Sequence, residues 1–383
     1  MVKKRLPPSS SSSALRPHLW LGSKIIVSFV IFLCIFALLR LHSQSKHLSL
    51  ASARAASVRR PSDPFVGLPK IAFLFLARSN LPLDFLWQRF FQNAYEGSFS
   101  IYIHSKPGIV FDESTTRCTF FQGRQLSKSV QVAWGESSMI KAEKLLLEEA
   151  LQDPANQRFV LISDSCVPLH NFSYIYNYVM SSSKSFVDSF LDEKEGRYNP
   201  KMSPTIPKDR WRKGSQWITL VRKHAEVIVD DDLIFPVFNQ HCKRRPALDL
   251  DGKMNPRKVI QKEHNCIPDE HYVQTLLAMS ELEEEVERRT LTYTLWNESV
   301  NEMERQGWHP ITFKYTDADP EHIQEIKGIN HVYYETEFRT EWCKSNATYV
   351  PCFLFARKFS RGAAMRLLSE GVVGPFNPAA LLS

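Results

Sequence analysis

Between Lys70 and Met180 the sequence alternates three times between a short apolar run and a longer stretch of helical period. KIAFLFLA (Lys70 to Ala77), FSIYIH (Phe99 to His104) and RFVLISD (Arg158 to Asp164) have the length and composition of strands. Between them, LPLDFLWQRFFQNA repeats Phe85, Leu86, Phe90 and Phe91 at helical spacing, and ESSMIKAEKLLLEEALQ is rich in strong helix formers. FSYIYNYVM supplies the next helix. Strand followed by helix, repeated, predicts an α/β fold with a mostly parallel, Rossmann-like sheet. Ligands in such sheets bind beyond the carboxyl ends of the strands, which singles out Ala77-Arg78, His104-Ser105-Lys106 and Ser163-Asp164-Ser165. None of these is a glycine-rich phosphate cradle, and no G-x-S-x-G elbow occurs, so dinucleotide dehydrogenase, P-loop and α/β-hydrolase chemistry are disfavoured.

The first sixty residues carry ten of the 48 Lys and Arg and no acid, leaving 38 basic residues against 41 acidic ones in the remainder. That balance lacks the concentrated basic face a nucleic-acid binder needs. Ile25 to Leu39 is apolar except for Ser28, and with Leu19 to Leu21 the segment reaches 21 residues. At 1.5 Å per residue it is roughly 31 Å long, enough to span a bilayer core. A cleaved signal peptide is the rival reading, but the small residues Ala51-Ser52-Ala53 lie far beyond the apolar run. Basic residues flank both ends evenly, so charge alone does not orient the span. Of seven cysteines, Cys34 falls in this segment, and the other six are an even set compatible with three disulfides in 15 possible pairings. Sequons at Asn171, Asn297 and Asn346 join them in favouring a lumenal C-terminal part. The expected organisation is a cytosolic tail (1–24), a transmembrane signal anchor (25–41), a Ser/Ala/Arg-rich stem (42–69) and a lumenal domain (70–383).

The stretch HNCIPDEHYVQTLL places Pro268, Asp269 and Glu270 ahead of Tyr272, Val273, Leu276 and Leu277 at helical spacing. This predicts a helix beginning at Pro268, with both acids at the positive end of its dipole. A good helix start explains such acids without any chemistry. The acidic run Asp230 to Asp232 in VIVDDDLIF imitates a metal-binding tip, but it also reads as a helix end entering a solvated turn.

Five ordered blocks, VQVAWGESSMIKAEKLLLEEAL, DRWRKGSQWITLVRKHAEVIV, CIPDEHYVQTLL, HVYYETEFRTEWC and PCFLFARKFSRGAAMRLL, resemble the plant branch of the core-2/I-branching β-1,6-N-acetylglucosaminyltransferase-like proteins, glycosyltransferase family 14. The resemblance runs from about residue 70 to 370. It implies a single-pass type II protein of the Golgi membrane with a variant GT-A fold. The implied reaction is an inverting transfer from a UDP-sugar to a glycan or glycoprotein acceptor, with no metal cofactor.

By resemblance, Glu270 is the base that takes the proton from the acceptor hydroxyl. Asp269 then tethers the helix start, and His271 is a core residue. Lys358 in LFARKF, with Arg357 beside it and Arg339 upstream, takes the place of a cation at the leaving diphosphate. Trp296, Trp217, Arg212 and Lys213 fall where acceptor or pocket-shaping residues occur, although a core tryptophan accounts for either aromatic equally well. After the second strand, animal members have an aspartate for the nucleoside, where this chain has Ser105 and Lys106. The donor sugar is therefore open among N-acetylglucosamine, glucuronic acid and xylose. Cys343 with Cys352 and Cys242 with Cys266 are the expected disulfides. Two other functions stand beside this one: an inactive sugar-binding or scaffolding relative, and a metal-dependent transferase using Asp230 to Asp232. The sequence carries no reading of oligomeric state.

Overall fold

Strand β1 (Lys70–Leu76) is buried from its second residue to its last, and its alternation divides its side chains between two cores. Ile71, Phe73 and Phe75 enter one, while Ala72, Leu74 and Leu76 enter the other. The computed structural model describes residues 27–38, 65–194, 196–244, 266–296, 310–345 and 347–372. The chain divides into two units, Met1–Phe65 and Val66–Ser383. In the first, residues 27–38 form an exposed helix, α1. Among the described residues no helix is long and apolar enough to cross a membrane, and residues 25, 26 and 39–41 of the expected anchor lie outside them.

In the second unit the expected alternation is present: β1, α2 (Asp84–Gln92), β2 (Phe99–His104), α3 (Ser138–Ala150), β3 (Asn156–Ser163). Both β2 and β3 pair with β1 in parallel. After β3 come β4 (Val167–Pro168), α4 (Phe172–Ser181), β5 (Ser185–Phe186), β6 (Thr219–Val221), α5 (Arg222–Val229), α6 (Ile234–His241) and α7 (Tyr272–Met279). With β7 (Val286–Glu287) the main sheet has the order β2-β1-β3-β6-β5-β7. Its second half departs from the mostly parallel expectation, because β6 runs antiparallel to both β3 and β5. The chain enters β6 from a long excursion after β5 and not from a crossover helix, so nothing forces it to run parallel.

One face of the sheet is covered by α2 and α4, whose Trp87, Phe90, Phe91 and Phe172 pack edge-on or tilted around Phe73. Trp87 also donates its indole N–H to the Cys166 carbonyl at 3.2 Å, so this large ring is buried with its polar atom satisfied. The other face receives α3, α5 and α7 through Leu146, Ile228 and Leu276. A smaller sheet follows, in which β13 (Phe355–Arg357) runs between β4 and β8 (Thr292–Thr294). Around it lie α8 (Pro320–Gly328), the hairpin β9 (His331–Tyr334) and β10 (Arg339–Trp342), the hairpin β11 (Lys344–Ser345) and β12 (Thr348–Tyr349), and α9 (Arg361–Ser369).

Disulfides join Cys242 to Cys266 and Cys343 to Cys352. The third bridge that six cysteines allowed is not formed. Cys118 and Cys166 are buried thiols, and burial pushes both up to about 12, which makes them unreactive. Closing loops of these lengths stabilises the fold by about 2.5 kcal/mol for Cys343–Cys352 and about 3.5 kcal/mol for Cys242–Cys266. Replacing both cysteines of a pair by serine should lower the unfolding free energy by those amounts in a denaturant titration, and an unchanged midpoint would show that the bridge carries no stability.

Candidate active site

The carboxyl ends of β1 and β3 open into a cleft of about 1290 Å³, reached there by Arg78, Ser163 and Asp164, with Lys106 entering from beyond β2. These are the strand-end positions singled out from the sequence. Arg78 and Asp164 form an ion pair at 3.2 Å. The smaller sheet supplies the next wall. Pairing of β13 with β4 and β8 delivers Arg357 at the end of its strand and Lys358 directly after it. The Lys358 carbonyl accepts from Phe313 N at 2.8 Å, and Phe359 N donates to Ser165 O at 2.9 Å, which ties this segment to the end of β3.

The Arg357 guanidinium lies over the Trp217 ring, 4.3 Å from its centroid, with Nε 3.4 Å from the Ser163 hydroxyl. Burial lowers its guanidinium to about 10, so it remains a cation at neutral pH. Burial also lowers Lys358, and the adjacent Arg357 and nearby Arg78 add to the effect. Two neighbouring cations that repel one another favour an anion placed between them.

Glu270 lines the same cleft, and here the local structure corrects the sequence expectation. Pro268–Glu270 form a separate single turn, His271 breaks from helical geometry with φ −134° and ψ −26°, and α7 starts at Tyr272. Glu270 therefore does not sit in the first turn of the α-helix. Its compensating charge is Arg197, whose Nη1 donates to Oε2 at 2.5 Å. The Glu270 carbonyl accepts from Gly214 N at 2.9 Å. Glycine is required at position 214, because a Cβ there would lie 1.8 Å from the Asp188 carbonyl oxygen.

Asp269 is buried on the cleft wall with no partner for Oδ1, and burial, then the neighbouring Glu270 charge, raises its carboxyl to about 7. His271 is fully buried, and burial lowers it to about 3, so it is neutral. Its Nδ1 donates to the Arg212 carbonyl at 2.8 Å and its ring stacks on Trp211, as expected of a core histidine.

Of the remaining expected residues, Lys213 and Trp217 line the cleft and Trp296 stands half-exposed on it. Arg212 and Arg339 are not brought there. The Arg212 guanidinium grips Glu283 at 2.7 and 3.0 Å, and Arg339 is shared between Glu337, Glu341 and the Ser189 carbonyl. In both cases acidic neighbours on adjacent turns or strands capture the charge. Asp231 is likewise committed: its carboxylate accepts from the backbone N–H of Leu233, Ile234 and Phe235 at the start of α6, and from the Tyr272 hydroxyl. Among the described residues no three His, Cys, Asp or Glu side chains group as a metal site would require. Asn171 caps α4, while Asn297 and Asn346 lie outside the described residues.

Two cleft residues escaped sequence reasoning. Arg197 and Asp188 lie in the excursion between β5 and β6, and Asp188 accepts from the Tyr334 hydroxyl at 2.5 Å and Ser215 N at 2.9 Å. Among the described lining residues six are cationic (Arg78, Lys106, Arg197, Lys213, Arg357 and Lys358) and four acidic, and burial raises two of the acids, Asp188 and Asp269. The cleft is thus suited to a polyanion.

The model of the family described as Core-2/I-Branching enzyme matches residues 71–327. The chain belongs to this family. It is 55% identical over 327 residues to a rice (Oryza sativa subsp. japonica) protein called Glycosyltransferase BC10, a match covering 85% of this chain and 82% of that one. It is a glycosyltransferase. Two solved structures of LgtC, one an active-site mutant and one the galactosyltransferase in complex with donor and acceptor sugar analogs, match with a TM-score of 0.35. Each is 8% identical and covers 74% of this chain and 86% of its own, a likeness too distant to bear on mechanism.

Asp269 makes stability depend on pH with a defined sign. Its folded carboxyl, near 7, is raised above its ordinary 3.8, so its stabilising contribution is complete below about pH 4 and is lost as the pH rises through 7. Relative to the wild type, Asp269→Asn should therefore gain melting temperature between pH 4 and pH 8; a constant difference across that window would contradict the assignment.

Proposed function

We propose that this glycosyltransferase is inverting, needs no metal ion, and moves a sugar (GlcNAc, GlcA or a related one) from a UDP donor to a glycan or glycoprotein acceptor. One observation carries the reading: Glu270 and the adjacent Arg357 and Lys358 line the same cleft. The acceptor oxygen attacks the anomeric carbon, its proton passes to the Glu270 carboxylate, and the bond to the diphosphate breaks from the opposite face. A single displacement of this kind inverts the centre. General-base assistance contributes roughly 10² to 10⁴ in rate. The leaving diphosphate gathers negative charge, which Arg357 and Lys358 oppose from fixed positions without reorganisation. Trp217 supports the Arg357 guanidinium in the cleft, and Trp296 offers an aromatic face to an acceptor ring.

The same reading includes a variant GT-A architecture and a type II anchor in the Golgi membrane, with residues 25–41 as the span and the sequons on the lumenal side. A metal-dependent route through Asp230 to Asp232 finds no support in the geometry, since Asp231 is spent on capping α6 and anchoring Tyr272.

The full chain in detergent, given UDP-GlcNAc, UDP-GlcA or UDP-xylose, should turn over one of these donors in excess EDTA. Glu270→Gln should lower kcat by at least about tenfold while UDP binding, followed by calorimetry, is unchanged. Loss of turnover on chelation that Mn²⁺ restores would overturn the metal-free mechanism, and an undiminished kcat in the variant would remove Glu270 from its role.

A further inference from the structure

Glu270 is held by more than its own turn. Arg197 Nη1 donates to Glu270 Oε2 at 2.5 Å, and the Arg197 backbone N–H donates to Asp192 Oδ2 at 2.8 Å. The same Asp192 oxygen accepts from the Trp211 indole at 3.1 Å. Trp211 in turn stacks on His271, 4.4 Å between ring centroids and 19° between planes, and His271 is joined to Glu270 by a peptide bond. Five residues from two distant parts of the chain therefore close a ring around one carboxylate.

The ring is asymmetric towards the cleft. The Arg197 side chain is 6% exposed and that of Glu270 is 24% exposed, so the cation is packed inside the protein and the anion is turned outward. An ion pair kept only for stability has no need of this arrangement, because well-packed apolar side chains commonly replace buried pairs without loss. Arginine suits an orienting role, since its rigid planar fork of donors fixes direction where an ammonium fixes only charge.

We propose that Arg197 is the positioning residue of Glu270: by holding Oε2 it presents Oε1 to the acceptor hydroxyl. The proposal rests on the reading of Glu270 as the base. In the transfer, the acceptor O–H bond breaks, the proton goes to Oε1, the oxygen bonds to the anomeric carbon, and the electron pair of the bond to the sugar leaves with UDP. Protonating Glu270 removes the negative charge that faces the Arg197 guanidinium, which favours release of the proton to solvent and resets the pair.

The test is a double-mutant cycle on the full chain. Arg197→Met should lower kcat by about tenfold or more, with UDP affinity and the KM for the donor changed less than about twofold; in the Glu270→Gln background the same substitution should change kcat less than about twofold. An equal loss in both backgrounds would mark Arg197 as merely structural and overturn the proposal, as would a wild-type kcat in Arg197→Met. UDP binding reports whether each variant is folded, and Arg197→Gln repeats the cycle, with the same expected loss and the same overturning results, should the methionine variant fail to fold. If Glu270→Gln alone retains full activity, it is the base reading that fails, a result separable from the outcome at Arg197.

Discussion

Two-sided burial of β1 is the constraint to which the rest of the structure answers. A strand apolar on both faces needs a layer of helices on each side, and its own backbone must pair along both edges. Both needs are met by β2 and β3 running parallel to it, with α2 and α3 as the intervening helices on opposite faces. Each buried Phe or Leu of β1 contributes roughly 1.5–3 kcal/mol. Because the three strands run the same way, their carboxyl ends share one edge, and the polar residues that end them face a common space. The location of the cleft is a by-product of packing. Its chemistry is a matter of what the loops place there.

That chemistry is dominated by charge in a restricted volume. Arg357 and Lys358 are neighbours in sequence and in space, and burial disfavours the charged form of both, so an anion in the cleft would stabilise them. Burial meanwhile works against the ionised forms of Asp188 and Asp269, while Asp164 is paired with Arg78 and Glu270 with Arg197. Adjacent cations and an arginine-held carboxylate in one cleft are what the proposed displacement asks for, in which a diphosphate departs and a hydroxyl loses its proton.

The first half of the fold was legible because local period and burial agree there: KIAFLFL and FSIYIH could be only short strands, and LPLDFLWQRFFQ only an amphipathic helix. The antiparallel strand β6 was not, since TLV is three residues long and its direction is decided by tertiary pairing with β3. At the site, three residues of the motif blocks, Glu270, Arg357 and Lys358, line the cleft. Arg339 and Arg212 were misplaced because a motif fixes a residue's position in the chain and not which acid will capture it. Arg197 gave no signal at all. It meets Glu270 across 73 residues, a closure that only the folded excursion between β5 and β6 creates.

The segment from Gly214 to Trp217 forms a short strut along the cleft wall. At one end Gly214 holds the Glu270 carbonyl, and at the other the Trp217 ring supports the Arg357 guanidinium. Four consecutive residues thus connect the Glu270 backbone to the Arg357 guanidinium, and the missing Cβ at position 214 seats that span directly against the Asp188 backbone. It acts as a gauge block: the spacing between Glu270 and Arg357 follows the length of one short piece of chain, and a single added methyl group would change that setting.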